Sequence, residues 1–355
     1  MFRLGVAVFS ALVLVLTGCK SIGPGSVTRD RFDYSSSIAD SWKQQTLLNI
    51  VKLRYLDLPV FVDVSSVVAG YSLQTGVSAS GSFPENGALG GDSATIGGTA
   101  VYTDRPTVTY TPMTGQKFLR GLLTPIEPKN IFFMLQSGYP ADFVLGLTVE
   151  SLNGLRNRST SAGTVQEAQP EFIRVLQLMR EVQMAGAVGV RVQAKQDQSS
   201  TTVLFFRRDN LSPETTNKLE EIRRLLKLPP GQQQFQLIYS PAAGADGELA
   251  VGSRSLLQIM LAFASYADVP EADVKEGRAI PGADPAKGAN EPVRIKCDTN
   301  KPKDAFAAVH YRDHWFWIDD RDWRSKRAFT AIMFIFTMAE NPGDDKLPLI
   351  TIPAQ

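Results

Sequence analysis

The chain is poor in the residues from which chemical sites are most often built. Its 355 residues include only two cysteines and two histidines. There is no C-x-x-C pair, so the dithiol redox motif and the paired-cysteine zinc motif are both missing. Gly87, Gly90, Gly91, Gly97 and Gly98 are not followed by Lys-Ser or Lys-Thr, which excludes a phosphate-cradling P-loop. Gly76-Val77-Ser78-Ala79-Ser80-Gly81 misses G-x-S-x-G by one residue and lies in an alternating polar run, not at a strand-to-helix turn. A charge bias is missing too. The 37 basic and 36 acidic residues give a formal net charge of +1, which removes the electrostatic case for nucleic acid or for an anionic membrane surface. Beyond the amino-terminal run, no stretch of about 18 uninterrupted apolar residues announces a membrane-spanning helix. The chain is nonetheless 43% hydrophobic and 21% charged, ordinary values for a packed protein.

What is present begins at the amino terminus. Arg3 supplies a positive start, Leu4–Leu16 a short apolar run, and Leu16-Thr17-Gly18-Cys19 follows. The run is shorter than the about 20 residues a spanning helix needs, and the pattern is that of a secretory signal. The tetrad resembles the lipobox of bacterial lipoproteins. The resemblance covers residues 1–19 and implies cleavage ahead of Cys19, with acylation of its thiol and its new amine. It also implies three acyl chains and hence a stable anchor, since a single chain holds only marginally. Lys20, not Asp, follows the cysteine. By the family's sorting rule this favours the outer membrane, with the body on the periplasmic side and surface exposure left open. An ordinary signal with an incidental cysteine and an uncleaved anchor are the alternatives. With Cys19 acylated, Cys297 is the only thiol left and can form no internal disulfide. Arg294-Ile295-Lys296-Cys297 reads as a strand, carrying either a buried inert thiol or one that bridges to another molecule.

Composition divides the chain into a signal (1–18), a lipidated tether (19–34), a helix plus Gly/Ser-rich hairpin region (35–142), an α+β module (143–266), a Pro/Gly-rich linker (267–292) and a carboxyl-terminal α+β segment (293–355). Gly23-Pro24-Gly25 marks the tether. Ser37-Ile38-Ala39-Asp40 looks like a helix start, and Trp42, Leu47, Leu48, Val51 and Tyr55 recur at roughly helical spacing. The helix is expected to stop before Pro59.

Residues 67–112 alternate with period two. Tyr71, Leu73, Thr75, Val77 and Ala79 are separated by Ser72, Gln74, Gly76, Ser78 and Ser80, and the pattern resumes from Ile96 to Thr111. Two long strands joined across a Gly-rich tip are predicted, each with an apolar and a polar side. Such a hairpin is not stable alone in water. Either the chain's own core covers it, or it pairs with copies in other subunits to make a ring or barrel.

Further along, a short helix is expected after Pro128, a strand over Phe143–Val149, and a helix from Pro170 to Met184 striped by Phe172, Val175, Leu176, Met179 and Val182. Strands over Val188–Val192 and Thr202–Phe206 flank a polar turn at 195–200. Ser212-Pro213-Glu214 opens another helix, and Phe235–Tyr239 is a strand. The order β-α-β-β-α-β over 143–239 matches a ferredoxin-like module in outline, and small modules of similar order build rings in secretion machines. Leu256–Phe263, after Ser253 as its cap, reads as a buried helix.

The densest chemistry is His310-Tyr311-Arg312-Asp313-His314-Trp315-Phe316-Trp317-Ile318-Asp319-Asp320. It reads as strand, turn at Arg312-Asp313, and strand, followed by a core helix over Ala328–Ala339. His310 and His314 flank the turn as possible cross-strand neighbours and, with the aspartates, are candidate metal ligands for a hydrolase. Trp315 and Trp317 share a strand face and are either core residues or a stacking surface for a cell-wall glycan. No catalytic set and no cofactor motif is evident. The sequence points to an α+β, lipid-anchored envelope protein with a structural, scaffold or assembly role. Its partners are the bilayer through Cys19, envelope proteins and copies of itself, with no nucleic acid. Glycan binding and metal-assisted hydrolysis are the alternatives.

Overall fold

A computed structural model describes residues 24–68, 70–82, 93–161, 164–194, 200–282 and 292–339. The signal, Cys19, the tip of the 67–112 hairpin, the turn at 195–199, the second half of the proposed linker and residues 340–355 lie outside the described residues. The described part is α+β, and it falls into two units: residues up to Trp42 with Phe61–Met113, and Lys43–Val60 with the chain from Thr114 onward.

Helix α1 runs Pro24–Arg54 and so begins well ahead of Ser37. The stretch expected as flexible tether is helical from Pro24. Proline is tolerated in a first turn, and polar residues such as Ser35, Ser36 and Ser37 on an exposed face cost a helix little. Its second half buries Leu47, Ile50 and Val51, the i, i+3, i+4 spacing of a core stripe. The helix stops where expected. Leu56 takes a left-handed conformation (φ 60°), and Pro59 follows. Asn49, itself buried, then pairs with the Val60 backbone twice, donating to its carbonyl at 2.7 Å and accepting from its N–H at 2.9 Å.

In the first unit, β1 (Phe61–Val68) pairs antiparallel with β4 (Thr107–Met113), and β2 (Tyr71–Ser82) with β3 (Ser93–Asp104).

After Lys43–Val60 the second unit continues with α2 (Gly115–Leu123), α3 (Pro128–Gln136) and α4 (Ala141–Thr148). Phe143–Val149, expected as a strand, is therefore mostly helix. A short apolar run does not distinguish the two, and burial of Val144, Leu145 and Leu147 settles it as one turn packed on another. Strands β5 (Val149–Leu152), β6 (Leu155–Arg156), β7 (Ser159–Ser161) and β8 (Thr164–Gln166) precede α5 (Pro170–Met184). Then come β9 (Val188–Ala194), β10 (Ser200–Phe206), α6 (Pro213–Leu225), β11 (Gln234–Tyr239) and β12 (Glu248–Ser253). Ser212 caps α6 by accepting from Thr215 N–H at 3.1 Å.

The six-stranded sheet has the order β6-β5-β12-β11-β10-β9. A split β-α-β would insert β5 beside β10. Here β5 pairs antiparallel with β12, a strand the sequence reading missed, and β11–β12 is the sheet's one parallel pair. The ferredoxin-like expectation is corrected accordingly. The succession α5, β9, β10, α6, β11 is the expected one, but buried β12 (Leu249, Ala250, Val251) takes the place beside β11. Helices α5 and α6 are joined by a bidentate Arg174–Glu221 pair, both bonds 2.9 Å. Phe172, Val175, Leu178, Val182, Leu219, Ile222 and Phe235 fill the core.

Helix α7 (Leu256–Ser265) is buried as expected, but its cap is Ser255, not Ser253: Ser255 and Gln258 form a reciprocal capping box. The first part of the proposed linker is ordered. It contains α8 (Glu271–Lys275), and Asp268 N–H bonds to Ile295 carbonyl at 2.8 Å. Strands β13 (Lys296–Asp298), β14 (Ala305–Tyr311) and β15 (His314–Asp319) form a three-stranded sheet of order β13-β15-β14, and α9 (Trp323–Ala339) closes the described chain. Asp322 caps α9, accepting from the Arg324 and Ser325 N–H groups at 3.1 Å each.

Candidate functional site

Two places carry the residues singled out in the sequence: the ribbon built by β1–β4 and the β14–β15 hairpin. The two ladders of the ribbon meet where Arg105 N–H donates to Gly70 carbonyl at 3.0 Å. Among the described strands, each ribbon strand has a single partner, so both outer edges of the ribbon are unpaired. The β2–β3 ladder is 12 residues on each side, roughly 40 Å at 3.4 Å per residue. It contains no Asp, Glu, Lys or Arg before Asp104.

Its register sets Leu73 opposite Tyr102, Val77 opposite Gly98 and Ala79 opposite Ile96, positions that share one side of the ladder. The alternate pairs are Gly76–Thr99, Ser78–Gly97 and Ser80–Thr95. On this polar side Ser78 Oγ donates to Gly97 carbonyl at 3.3 Å and Thr99 Oγ1 to Gly76 carbonyl at 3.5 Å. The glycines leave room for this: a Cβ on Gly76 would stand 2.9 Å from Thr99 Oγ1, and one on Gly97 2.9 Å from Ser78 Oγ. Val101, opposite Gln74, is an apolar residue on the polar side.

Among the described residues several apolar side chains of the ribbon are exposed. Val77 is 82% exposed, and Tyr102 and Tyr110 are more than half exposed. At the base of the ladder Tyr71 and Tyr102 stack with ring centroids 6.3 Å apart, and Tyr71 donates its hydroxyl proton to Asp30 of α1 at 2.6 Å. Beyond the base, Ser65 forms a bulge in β1, the device by which a strand keeps its side alternation through an added residue.

The β14–β15 hairpin turns at Arg312 and Asp313, both with positive φ (47° and 63°), as a two-residue reverse turn requires. His310 stands opposite Trp315, and Tyr311 opposite His314. The two histidines are thus not cross-strand partners. One-residue alternation sends them to opposite sides of the sheet, and the structure does not bring them together on one ion. Among the described residues no group of three or more His, Cys, Asp or Glu is placed to hold a metal.

His310 packs edge-on against Trp315 (5.3 Å between centroids), and Lys301 Nζ lies 5.2 Å from the Trp315 ring centroid. His314 Nδ1 is 3.0 Å from Arg312 carbonyl. Trp315 and Trp317 do share a face, both mostly but not fully buried, with Lys296 and Asp298 of β13 alongside. Phe316 and Ile318, fully buried, make the core face instead.

Cys297, on β13, is half-buried. Burial, reinforced by Asp268, Asp298 and Asp273, pushes its thiol up to about 12, which keeps it protonated and a poor nucleophile. The residue that sequence reasoning missed is Arg54, an arginine buried at the end of α1. Its only sequence signal is a charge at a position of the helical apolar stripe.

Among the described residues no helix is long and apolar enough to cross a membrane. Comparison of the chain with protein-family models, with curated proteins and with solved structures finds no match.

Proposed function

We propose that this protein is a lipid-anchored envelope subunit that associates with copies of itself edge to edge through the β1–β4 ribbon, closing a β-barrel whose β2–β3 part crosses the membrane. The observation that carries the proposal is the ribbon itself: two strands wide, unpaired at both edges among the described residues, and free of charge along the 12 residues of β2.

A two-stranded ribbon is marginal in water, and unpaired edges recruit further strands. A head-to-tail arrangement of identical ribbons satisfies every edge once the ring closes. Strands of about 9–11 residues, tilted, suffice to cross a bilayer, and β2 and β3 meet that length. Barrels in membranes alternate apolar outward and polar inward. The side of Val77 and Tyr102 then faces lipid, and the Ser78–Thr99–Gln74 side lines a water-filled lumen without formal charge. Tyr71 and Tyr102 at the base match the aromatic girdle at a membrane interface. A conduit of this kind gives the assembly role a physical content.

Light scattering of the full-length acylated protein in detergent tests the proposal against a variant in which residues 72–104 are replaced by a short Asn-Gly turn. The expected result is a discrete oligomer for the parent and a folded monomer for the variant. A parent that stays monomeric at all concentrations would overturn the association. Oligomers that form but release no dye from liposomes would overturn the crossing alone.

One observation favours a second reading: Trp315 and Trp317 present partly accessible rings on one sheet face, flanked by Lys301 and His310. Stacking on cell-wall glycan would use that face. Retention on purified sacculi that is lost in Trp315→Ala and Trp317→Ala supports it, and equal retention removes it.

A further inference from the structure

Helix α1 ends in a side chain that has no place in an apolar core unless something pairs with it. Arg54 is 4% exposed, and its guanidinium makes no hydrogen bond or ion pair among the described residues, Nε being enclosed without a partner. Desolvation pulls its pKa below the ordinary arginine value, opposed by Tyr55 and Asp268, yet an arginine stays charged at neutral pH. Buried charges are retained in proteins where a counter-charge meets them.

Arg54 lines a cavity of about 650 Å³, a size usual for small-molecule sites. The other charges on its wall offset one another. Lys275 pairs with Glu271 at 3.1 Å, and burial raises the Asp268 carboxyl above its ordinary value, opposed first by Arg294 and then by Arg54 and Lys296. Counting Arg54, Lys275 and Arg294 against Asp268 and Glu271, all of them on the lining, leaves one positive charge. That charge is on the buried guanidinium, unpaired among the described residues. Val269, Val274 and the Tyr266 ring supply apolar wall. Gly282 keeps the guanidinium's place open, since a Cβ there would stand 2.6 Å from Arg54 Nη2.

We propose that this cavity binds a small organic carboxylate, with the carboxylate on the Arg54 fork and the apolar body against Val269 and Val274. A guanidinium presents two parallel N–H donors that match a carboxylate in a bidentate pair. A single surplus charge suits a monoanion, and Asp268 and Glu271 on the wall oppose a doubly charged phosphate.

The experiment uses full-length protein in detergent, titrated with benzoate, with butyrate and with inorganic phosphate, read by calorimetry and by melting temperature. Benzoate and butyrate are expected to bind saturably at one site, and phosphate at least about tenfold more weakly, a difference such calorimetry resolves. Arg54→Gln is expected to abolish carboxylate binding. Arg54→Lys, which keeps the charge and loses the fork, and Gly282→Ala, which displaces the guanidinium, are each expected to weaken it about tenfold. Absence of saturable carboxylate binding, phosphate binding as tight as benzoate, or affinity unchanged in Arg54→Gln would overturn the proposal. Should Arg54→Gln fail to fold, unchanged affinity in both Arg54→Lys and Gly282→Ala overturns it equally.

Discussion

Tyr55 donates its phenolic proton to Asp273 at 2.8 Å, tying the end of α1 to α8. The same ring lies edge-on to Tyr311 and Phe316, with centroids 5.5 and 6.4 Å away, and Arg312 sits 4.8 Å over it. A residue just beyond one helix thus joins two segments that are remote in the sequence. Burial, then the bond and charge of Asp273, raise the Tyr55 phenol above its ordinary value, and Cys297 nearby is pushed up to about 12.

A pH dependence follows from these two acids, both neutral when protonated. Their folded pKa values exceed the unfolded ones, so the stability they add is complete below the unfolded values and is lost as pH climbs through the folded ones. Urea midpoints are expected to be level between about pH 6 and pH 9, the ordinary thiol value, and to fall from there towards pH 12. Cys297→Ser is expected to flatten the first part of the fall. A midpoint that drops between pH 6 and 8 would count against the assignment.

Val77→Arg separates a membrane-crossing ribbon from a solvated one. At a position 82% exposed, a substitution in water shifts stability by no more than about 0.5 kcal/mol. On the lipid face of a barrel the same arginine costs about 2–4 kcal/mol near the midplane. The expected outcome is unchanged folding of the α+β unit by circular dichroism, with loss of liposome-associated oligomer. Intact insertion would argue for a solvated ribbon.

The two faces of β15 are expected to respond unequally. Phe316→Ala empties a fully buried site and should cost about 3–5 kcal/mol in chemical denaturation. Trp317→Ala, on the partly accessible face, should cost clearly less despite the larger side chain. Equal losses would mean that the tryptophan face is also covered.

Arg254 is buried, and Nη1 donates to the Leu147 carbonyl at 3.0 Å and to the Gly146 carbonyl at 3.3 Å, while Nη2 donates to Arg158 carbonyl. Two of these acceptors are in the last turn of α4, where carbonyls lack helical partners. Arg254→Met keeps the bulk and removes the donors. It should lower stability by about 1–3 kcal/mol for each carbonyl left without a partner, measured by urea denaturation. A change below about 0.5 kcal/mol would show that water replaces the guanidinium.

Local signals were legible where a residue acts on its own neighbours. Proline and serine at 212–213 placed the start of α6, the stripe from Phe172 to Val182 placed α5, and the period-two run from Tyr71 placed β2 and its register side. The same signals failed where two states share one pattern. Phe143–Val149 is apolar enough for strand or helix, and only packing of Val144 and Leu145 decides it. Gly23-Pro24-Gly25 suggested a tether because such residues favour loops, but propensity is a weak prior, and α1 runs from Pro24.

By itself the amino-acid sequence determined the α+β class and the alternation of the ribbon. These depend on residue order over a few positions, and short-range sterics and burial periodicity carry them. The tertiary structure alone decided that β12 enters the sheet beside β11, that His310 and His314 occupy opposite faces, and that Arg54, unpaired among the described residues, lines a cavity with Asp268, Val269, Val274, Gly282 and Arg294. Those facts depend on pairing register and on contacts between distant segments, where a shift of one residue reverses a side chain's face and no local pattern records the partner.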